Sequence, residues 1–347
     1  MKLKSFILSA MMSAACISAA AQDTLSVFVI GDVMMHTKQL GYDCHYFLDS
    51  VKGPALKADI AVANLDFPLG GEPYTGYPVF STPDYYADYI ADCGFDIFLM
   101  ANNHLLDKGE KGLSRTLDRY RAMSGRIRFT GAASDPEELI STSPLIVRMK
   151  GMKIAFINAT QISNAASSAD WPRLSMFDED ALSSAFCRAK AAGADFIVVL
   201  PHWGTEYELH HDSSQEGWAR WFVRQGADVI LGAHPHVVQD TTHIKGVPVV
   251  YSMGNAISNM SAINTRLELA VTLRFVSDGK GKRMLEPKLR WMWCTLPDRL
   301  TESYATIYVD EWKGRRDAWK DPSDYDNMIS TLQRVRQATG IKDEKDD

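Results

Sequence analysis

The chain has 347 residues, of which 46% are hydrophobic and 23% are charged, and its formal net charge at pH 7 is −6. A chain of this size can bury a large apolar core without the help of disulfides. The negative charge argues against nucleic acids and anionic membrane surfaces as partners, because both attract proteins through basic residues.

The first 21 residues have the pattern of a cleaved export signal. Lys2 and Lys4 give a positive start, an apolar run follows over residues 6–17, and three alanines precede Gln22. The run is too short to span a bilayer comfortably, and the order of its parts is typical of a secretory signal peptide. Removal of residues 1–21 takes two lysines, so the net charge becomes −6 − 2 = −8. We expect an exported protein of the periplasm or the cell surface.

Two alternatives stay open at this end of the chain. The segment could be retained as a membrane anchor, or Cys16 could carry a lipid, since Ser13-Ala14-Ala15-Cys16 loosely resembles a lipobox. Serine stands where a lipobox usually has leucine, which favours the form without a lipid. No later stretch approaches the length of a membrane span, so we predict no transmembrane segment in the mature chain.

Apolar runs alternate with helical patterns along most of the sequence. The pattern predicts strands at residues 25–30, 60–63, 95–101, 145–149, 154–158, 196–200, 229–231, 247–251, 267–275 and 285–293. It predicts helices at residues 85–93, 112–123, 180–192, 215–225 and 322–338. The early alternation is typical of βα units, whereas the end is rich in strands. This mixture favours a sheet-on-sheet core with outer helices over a doubly wound sheet.

No linker, low-complexity tract or internal repeat divides the sequence. We predict one α/β domain over residues 22–297, followed by a C-terminal extension over residues 298–347 with a helix and a charged tail. The four later cysteines are scattered without metal-binding spacing, so we expect free thiols or at most one pair at Cys44, Cys93, Cys187 and Cys294.

Polar side chains follow the predicted strands at the point where each strand ends. They are Asp32, Asp66, Asn103, His104, His202, Glu206, His234, His236 and Asn255. Ligands of α/β sheets gather at the carboxyl ends of strands. Carboxylate, amide and imidazole donors together suit Mn, Fe or Zn better than a soft thiolate site does. Their number fits two ions that share a carboxylate, so the sequence predicts a centre of one or two divalent metal ions.

The order of these motifs resembles that of the metallophosphatase (calcineurin-like phosphoesterase) superfamily. In detail it is similar to the bacterial capsule-synthesis, or poly-γ-glutamate-synthesis, CapA-like branch. The matching motifs are Gly31-Asp32-Val33-Met34, Asn64-Leu65-Asp66, Ala101-Asn102-Asn103-His104 with Asp107 and Gly109, His202-Trp203-Gly204-Thr205-Glu206-Tyr207, Gly232-Ala233-His234-Pro235-His236 and Tyr251-Ser252-Met253-Gly254-Asn255. The resemblance implies a metallophosphatase-like four-layer α-β-β-α sandwich with mixed sheets.

The resemblance also implies metal ligands and a catalytic acid. The implied ligands are Asp32 and His236 on one ion, Asn103, His202 and His234 on the other, and Asp66 between them. His104 would protonate the leaving group or stabilise its charge, a task for a histidine that titrates near neutrality. We expect Glu206, Asn255 and Asp107 to support the site or contact substrate. The alternative for each of these residues is a structural role as a cap or a buried hydrogen-bonded group.

Two residues depart from the superfamily pattern. Met34 stands where the first motif usually has histidine, as in the CapA-like branch, so the first metal could be weakly held or absent. His36 could replace that ligand, although a surface or loop role is the stronger expectation for it. Asp66 stands where the branch usually has glutamate, and its shorter side chain demands a closer approach of the bridged ions.

The sequence leaves two functions open. The first is an exported CapA-like metal-dependent hydrolase of capsule or envelope polymer metabolism, which cleaves a phosphoester or a poly-γ-glutamyl amide. Its substrate would be an anionic polymer or a small phosphoester. The second is a non-catalytic polymer-binding or assembly protein for capsule or poly-γ-glutamate biosynthesis, which Met34 favours. Envelope biosynthesis proteins would be partners.

Two further groups of residues bear on the substrate. A net charge of −8 suits a polyanion poorly unless the site is locally basic, and the candidates for a basic patch are Arg115, Arg119 and Arg121, which could equally face solvent. An aromatic cluster could form a loop over the site or simply pack in a hairpin; it comprises Tyr74, Tyr77, Phe80, Tyr85 and Tyr86.

Overall fold

The computed structural model describes residues 23–167 and 169–342 of the chain. The predicted signal peptide at residues 1–21, the alternative lipid site at Cys16 and most of the charged tail lie outside the described residues. Among the helices that the structure describes, none has the length and apolar character needed to cross a membrane.

The strands have between 2 and 12 residues and are spread along most of the described chain. They are β1 (Asp23–Val33), β2 (Ile60–Leu65), β3 (Ile97–Leu99), β4 (Arg128–Thr130), β5 (Ala132–Ala133), β6 (Leu145–Met149), β7 (Met152–Thr160), β8 (Arg173–Leu174), β9 (Phe196–His202), β10 (Val229–Leu231), β11 (Thr241–Ile244), β12 (Val247–Val250), β13 (Asn255–Ile257), β14 (Leu267–Asp278), β15 (Gly281–Met284), β16 (Lys288–Thr295) and β17 (Ala305–Tyr308).

The helices alternate with strands up to β10 and return at the end of the chain. They are α1 (Asp49–Lys57), α2 (Asp84–Asp92), α3 (Gly109–Ala122), α4 (Pro136–Thr142), α5 (Glu179–Ala191), α6 (Ser213–Gln225), α7 (Val309–Trp312) and α8 (Pro322–Thr339). Short 3₁₀ turns lie at Gln39–Gly41, Cys44–Tyr46, Ile263–Arg266 and Arg316–Ala318.

Two mixed sheets form the centre of the molecule. The larger has the strand order β17-β16-β14-β1-β2-β3-β4, with β13 paired to β1 and β15 paired to β14. The smaller has the order β11-β12-β10-β9-β7-β6. In each sheet the βα part is parallel and the late hairpins are antiparallel, as the change from βα alternation to consecutive strands predicts.

Side chains of neighbouring strand residues enter different apolar layers. Val29 of β1 and Val198 of β9 belong to the inner core between the sheets. Phe28 joins the outer layer under α1, α2 and α3, and Val199 joins the other outer layer under α5 and α6. This period of two, on sheets covered on both faces, gives a four-layer α-β-β-α sandwich, as expected from the sequence.

Helix α8 is the exception to this layering. Its Met328, Leu332 and Val335 enter the inner core, beside Trp293 of β16. A buried ion pair fixes its first turn, because Nη1 and Nη2 of Arg266 each donate to the Asp324 carboxylate at 2.6 Å. The helix therefore covers part of the inner face of the larger sheet.

Most predicted elements are present, with shifted ends. Strands β6 and β7 form a hairpin, and β14 pairs antiparallel with β16. The strand predicted at residues 95–101 shortens to β3. The strand predicted at 285–293 begins only at Lys288, because Pro287 cannot donate to the ladder, and β15 pairs with the end of β14 before it. Cys44, Cys93, Cys187 and Cys294 are free thiols, as expected.

Candidate metal centre

The predicted site residues meet where the carboxyl ends of strands from both sheets converge. Asp32 lies at the end of β1, Asp66 directly after β2, and His202 at the end of β9. The six predicted ligands and His104 are each at most 4% exposed; the ligands are Asp32, Asp66, Asn103, His202, His234 and His236. The structure thus brings all seven together in one buried cluster.

Nε2 of His202 is the centre of one half of the cluster. It lies 2.8 Å from Oδ1 of Asn103, 3.2 Å from Nδ1 of His234 and 4.0 Å from Oδ1 of Asp66. All four atoms carry lone pairs, and they come from the end of β9 and from the segments that follow β2, β3 and β10. Such a convergence of oxygen and nitrogen donors matches a transition-metal site.

Asp32, Asp66 and His236 form the other half. One ligand atom from each lies within 4.8 Å of the others. Nδ1 of His236 is 3.3 Å from Oδ2 of Asp32 and 2.8 Å from Oδ1 of Asn255. Asn255 therefore fixes the orientation of the His236 ring through the same nitrogen that faces Asp32.

The carboxylate of Asp66 tests whether a cation fits here. Both of its oxygens are buried, and neither has a hydrogen-bond partner among the described residues. Burial raises its pKa to about 7. A buried carboxylate without donors is costly unless a cation compensates it. The residues present therefore fit one or two divalent ions, and Asp66 lies close enough to both halves to bridge them.

The histidines differ in charge. Burial lowers the pKa of His202 well below its usual range and that of His234 to about 3, so both rings are neutral and offer lone pairs. Burial also acts to lower the pKa of His236, but its hydrogen bond to Asp32 and the charges of Asp32 and Asp66 raise it to about 9.

For Asp32, burial opposes ionisation, yet the contacts with His236 and His202 lower its pKa to about 2. Binding of a metal to His236 would release a proton.

The loop that carries the last two ligands has an unusual backbone. His234 has φ of 100° and His236 has φ of 59°, in the left-handed region that side chains rarely adopt. The backbone N–H of His234 donates to Oδ2 of Asp32 at 3.1 Å. Gly232 precedes them, and a Cβ there would lie 2.0 Å from the carbonyl oxygen of Tyr251. Strain of this kind concentrates at functional sites.

His104 lies next to the cluster and is held by a carboxylate. Its Nδ1 is 2.8 Å from Oδ2 of Asp107, which also accepts the backbone N–H of Phe80 at 2.7 Å. Burial alone would lower the pKa of His104, but the hydrogen bond to Asp107 and the charges of Asp66 and Asp107 raise it above its usual value. The arrangement leaves Nε2 to exchange a proton with a substrate.

Four polar residues of the site were not predicted as functional. Asn64 donates to Oδ1 of Asp32 at 2.6 Å, and Asn158 accepts the N–H of Ala101 at 2.8 Å beside the loop that carries Asn103. Asn164 accepts from Nδ2 of Asn103 at 3.3 Å. Glu268 accepts the N–H of Gly31 at 2.7 Å, one residue before Asp32. Asn64, Asn158 and Glu268 each interrupt an apolar strand sequence, and this pattern could have indicated a functional role. Asn164 lies on a loop, and its sequence context indicates no such role.

Three residues considered from the sequence lie outside the ligand cluster. Met34 is buried in the outer apolar layer under α1 to α3. His36 is not on the surface: burial lowers its pKa to about 4, its ring packs edge-on against Phe80, and its Nδ1 accepts the N–H of Asn259. Glu206 is half-buried and makes no hydrogen bond to a site histidine within the described part of the chain.

The predicted basic patch is neutralised in the structure. Arg115 is paired with Asp84, Arg119 with Asp88, and Arg121 with Glu138 and Asp118. These arginines hold α3 to its neighbours and offer little net charge to a polyanion.

The aromatic cluster divides between loop and core. Phe80 packs on His104 with 4.7 Å between ring centroids, and Tyr86 lies in the core. Tyr77 is 70% exposed, and Tyr74 and Tyr85 are also exposed. A bridge between Thr75 and Ser81 closes this loop beside the site.

The family model described as "Bacterial capsule synthesis protein PGA_cap" matches residues 26–260, which include every candidate ligand. The chain belongs to this family. Capsule biosynthesis protein CapA of Bacillus anthracis is 26% identical to this chain. The match covers 70% of this chain and only 62% of that protein's length. PGA biosynthesis protein CapA of Bacillus subtilis is 27% identical over 77% of the chain and 72% of its own length.

A solved structure shares the fold. It is from Staphylococcus aureus, is described provisionally as a 5′-nucleotidase and contains α-ketoglutarate. It superposes with a TM-score of 0.52 at 14% identity, over 77% of this chain and 54% of the other. This chain accordingly has a metallophosphatase-like fold. The resemblance to the bacterial capsule-synthesis family that was drawn from its motifs is confirmed.

Proposed function

We propose that this chain is an exported metal-dependent hydrolase that cleaves a phosphoester or a γ-glutamyl amide in capsule or envelope polymer metabolism. The observation that carries the proposal is the buried carboxylate of Asp66, which has no hydrogen-bond partner among the described residues and lies among nitrogen and oxygen ligand atoms from both sheets. Family membership supports the link to capsule polymers.

In this proposal the ligands divide as their positions suggest. Asp32 and His236 hold one divalent ion, Asn103, His202 and His234 hold the other, and Asp66 is shared. The chemistry that such ions supply when bound is Lewis acidity, which lowers the pKa of water toward 7 and polarises an ester or amide oxygen. Mn, Fe and Zn all suit this donor set.

The protein's own residues perform the proton transfer. Asp107 accepts from Nδ1 of His104 and fixes the ring, so Nε2 carries the proton that passes to the leaving oxygen or nitrogen. The raised pKa of His104 keeps that proton in place near neutral pH. Asn255 and Asn64 hold His236 and Asp32 and thereby limit their motion.

A second candidate function is polymer binding or assembly without catalysis. The observation that favours it is the position of Met34, which lies in an apolar layer where the superfamily usually has a histidine ligand. One half of the centre then depends on Asp32, Asp66 and His236 alone. Weak occupancy of that half would leave a binding protein with one ion.

Metal content separates these functions from a metal-free role. We would purify the mature chain with the His202→Ala and His234→Ala variants and measure bound metals by elemental mass spectrometry. His243→Ala is the matched control, because the His243 side chain is exposed and pairs with Glu286 at the surface. We expect metal in wild type and control and loss in both site variants. If the chain holds no metal after reconstitution with Mn, Fe or Zn, both the hydrolase and the metal-containing binding protein are rejected.

Turnover separates the hydrolase from the binding protein. The substrates would be a bis-aryl phosphodiester and a γ-glutamyl oligomer, with His104→Ala compared against wild type at equal metal content. We expect metal-dependent cleavage of one substrate and its loss in the variant. Equal turnover by the variant would remove His104 from the proposal, whereas a metal-loaded chain that cleaves neither substrate would favour the binding function.

Export requires its own test. The full chain, a deletion of residues 1–21 and Cys16→Ser would be expressed in a Gram-negative host and fractionated. We expect the full chain and Cys16→Ser in the periplasm and the deletion in the cytoplasm. Lipid labelling that depends on Cys16 would indicate an anchored protein instead.

A further inference from the structure

A cavity of about 710 Å³ lies beside the loop of residues 161–167. Its apolar side chains include Leu106, Leu139, Leu174 and Leu182, and its cationic ones are Arg173 and Arg188. Serines and alanines line most of the rest, and Ser163, Ser167 and Ser175 are among them. Ligand pockets of proteins commonly have this size and this mixture of apolar walls with a few polar groups.

The cavity shares a wall with the candidate metal centre. Ser163 and Ala165 line it, and Asn164 between them contacts Nδ1 of His104 at 3.2 Å. The backbone N–H of Asn164 also donates to the carbonyl oxygen of Asn103 at 2.9 Å. Leu106, another lining residue, follows His104 by two positions. A ligand in the cavity would therefore lie one loop away from the proposed proton donor.

The two arginines of the cavity differ from those of the neutralised patch. Arg188 is half-buried and donates through Nε and Nη2 to the carbonyl oxygen of Ser143. Arg173 stacks on Trp171, with 4.3 Å from its guanidinium carbon to the ring centroid. Neither has a carboxylate partner among the described residues. By contrast, Arg121 on α3 has two carboxylate partners, Asp118 and Glu138.

Two more groups define what the cavity can bind. Oγ of Ser175 is buried and has no hydrogen-bond partner within the described part of the chain. The acidic residue of the lining, Asp178, caps α5 by accepting the N–H of Ala181 at 2.8 Å. That first turn is thus already occupied by a carboxylate, so an anion in the cavity must use the arginines.

We infer that this arginine cavity, defined by Arg173, Arg188, Ser175 and the four leucines, binds a carboxylate-bearing unit of the substrate next to the reacting bond. Guanidinium groups match a carboxylate with paired hydrogen bonds. The leucines suit the methylene groups that carry such a carboxylate in a glutamyl unit. The inference rests on the proposed function and deepens it, because it supplies the local positive charge that a net charge of −8 otherwise lacks.

Calorimetric titration of the mature chain with γ-glutamylglutamate tests the inference without turnover. The dipeptide with all its carboxyl groups amidated is the control that lacks carboxylates, and glycerol 3-phosphate tests whether phosphate is preferred. We expect binding of the dipeptide only, weakened about tenfold or more in Arg188→Met and in Arg173→Met, since hydrogen bonds to charged groups have this magnitude. Arg334→Met is the matched control, because Arg334 contacts Asn264 and Thr331 and does not line the cavity.

Arg188 also supports Ser143, so a variant that leaves the arginines in place is needed. Ala181→Phe at an exposed position of the lining would fill the space, and we expect it to abolish binding while unfolding as wild type does. The inference is overturned if the dipeptide does not bind at millimolar concentration, if the amidated form binds equally, if Arg173→Met, Arg188→Met and Ala181→Phe all bind as wild type, or if only glycerol 3-phosphate shows arginine-dependent binding.

The same titration on His202→Ala distinguishes failure of this inference from failure of the proposed function. His202 is not part of the cavity, so we expect unchanged dipeptide binding when the metal centre is disabled. Arginine-dependent binding in a chain that never holds metal would reject the hydrolase and retain the cavity. Metal-dependent turnover without dipeptide binding would reject the cavity alone.

Discussion

Nε2 of His202 lies 2.8 Å from Oδ1 of Asn103, although the two residues are 99 positions apart and follow strands of different sheets. The contact exists only when the smaller sheet packs on the larger one. A ligand set completed in this way is formed by folding, so metal affinity and stability should be coupled.

Metal removal is expected to destabilise the protein. A ligand that binds only the folded state stabilises it by about 2.7 kcal/mol at a free concentration 100 times its Kd. Chelation should therefore lower the Tm of wild type and lower that of a His202→Ala, His234→Ala double variant less, because the double variant keeps only Asp32, Asp66 and His236 as a metal-binding group. Thermal unfolding with and without chelator measures this. Equal chelator effects on both proteins would contradict the prediction.

Asp66→Asn should stabilise the metal-free protein at neutral pH. The pKa of Asp66 is raised from 3.8 to about 7 by burial, so its favourable contribution is complete below pH 4 and is lost as pH rises to about 7. The amide has no charge to bury, whereas the carboxylate loses about 1.4 kcal/mol for each pH unit over which it is protonated only in the folded state, so the gain should grow as pH rises toward 7.

The measurement is denaturant unfolding of both metal-free proteins between pH 4 and pH 8. The two stability curves should separate as pH rises, while the variant loses metal binding. Parallel curves would mean that Asp66 is not the group that titrates.

Asp107→Asn should shift the pH dependence of turnover. The carboxylate of Asp107 raises the pKa of His104, and a proton donor loses activity as pH rises through its pKa. The amide oxygen can still accept from Nδ1 of His104 and from the N–H of Phe80 without the charge. We expect the alkaline limb of the profile to move to lower pH at unchanged metal content.

His104→Ala, by comparison, should lower kcat by about 10²–10⁴-fold at every pH. An alkaline limb that stays in place in Asp107→Asn would show that another group sets it.

Glu268 should act as a neutral acceptor for the turn before Asp32. Burial raises its pKa well above the usual value, and the N–H of Gly31 donates to Oε1 at 2.7 Å while Oε2 has no partner among the described residues. Because the pKa of Glu268 is raised in the folded state, the contribution of Glu268 to stability falls as pH rises above about 4.5. Glu268→Gln keeps the acceptor and should flatten this decline, whereas Glu268→Leu leaves the N–H unpaired and should cost about 1–3 kcal/mol.

Unfolding free energies at pH 5 and pH 8 measure both effects. Equal stability of the glutamine and leucine variants would show that the hydrogen bond contributes nothing.

Loss of one partner of the Arg266–Asp324 pair should loosen α8. Both side chains are buried, and the guanidinium carbon of Arg266 also lies 4.3 Å from the ring centroid of Trp293. Asp324→Asn should cost about 3–5 kcal/mol, because it leaves a buried guanidinium uncompensated. Hydrogen exchange of α8 checks the local effect. Asp326→Asn, whose pair with Arg316 is exposed, is the control and should cost less than about 1 kcal/mol.

The candidate ligands could be predicted because each follows an apolar strand as a polar residue of a metal-binding type. Asp32, Asp66, His202 and His234 all fit that rule, and convergence of strand ends at one edge is a general property of α/β sheets. The order of motifs added the family and the layer architecture. Residues that act from behind the ligands, such as Asn158 and Glu268, carry no such rule, because a polar residue within a strand is informative only when its neighbours are known.

Sequence by itself therefore determined the chemistry available to this protein: the donors, their order and the strands that present them. Only the tertiary structure decided which charges remain free. Arg115, Arg119 and Arg121 are paired across α2, α3 and α4, whereas Arg173 and Arg188 line a cavity and have no carboxylate partner in the part of the chain that the structure describes. The physical reason is that apolar periodicity is local and survives in a short sequence window, whereas charge compensation depends on atoms within a few ångströms that come from distant parts of the chain.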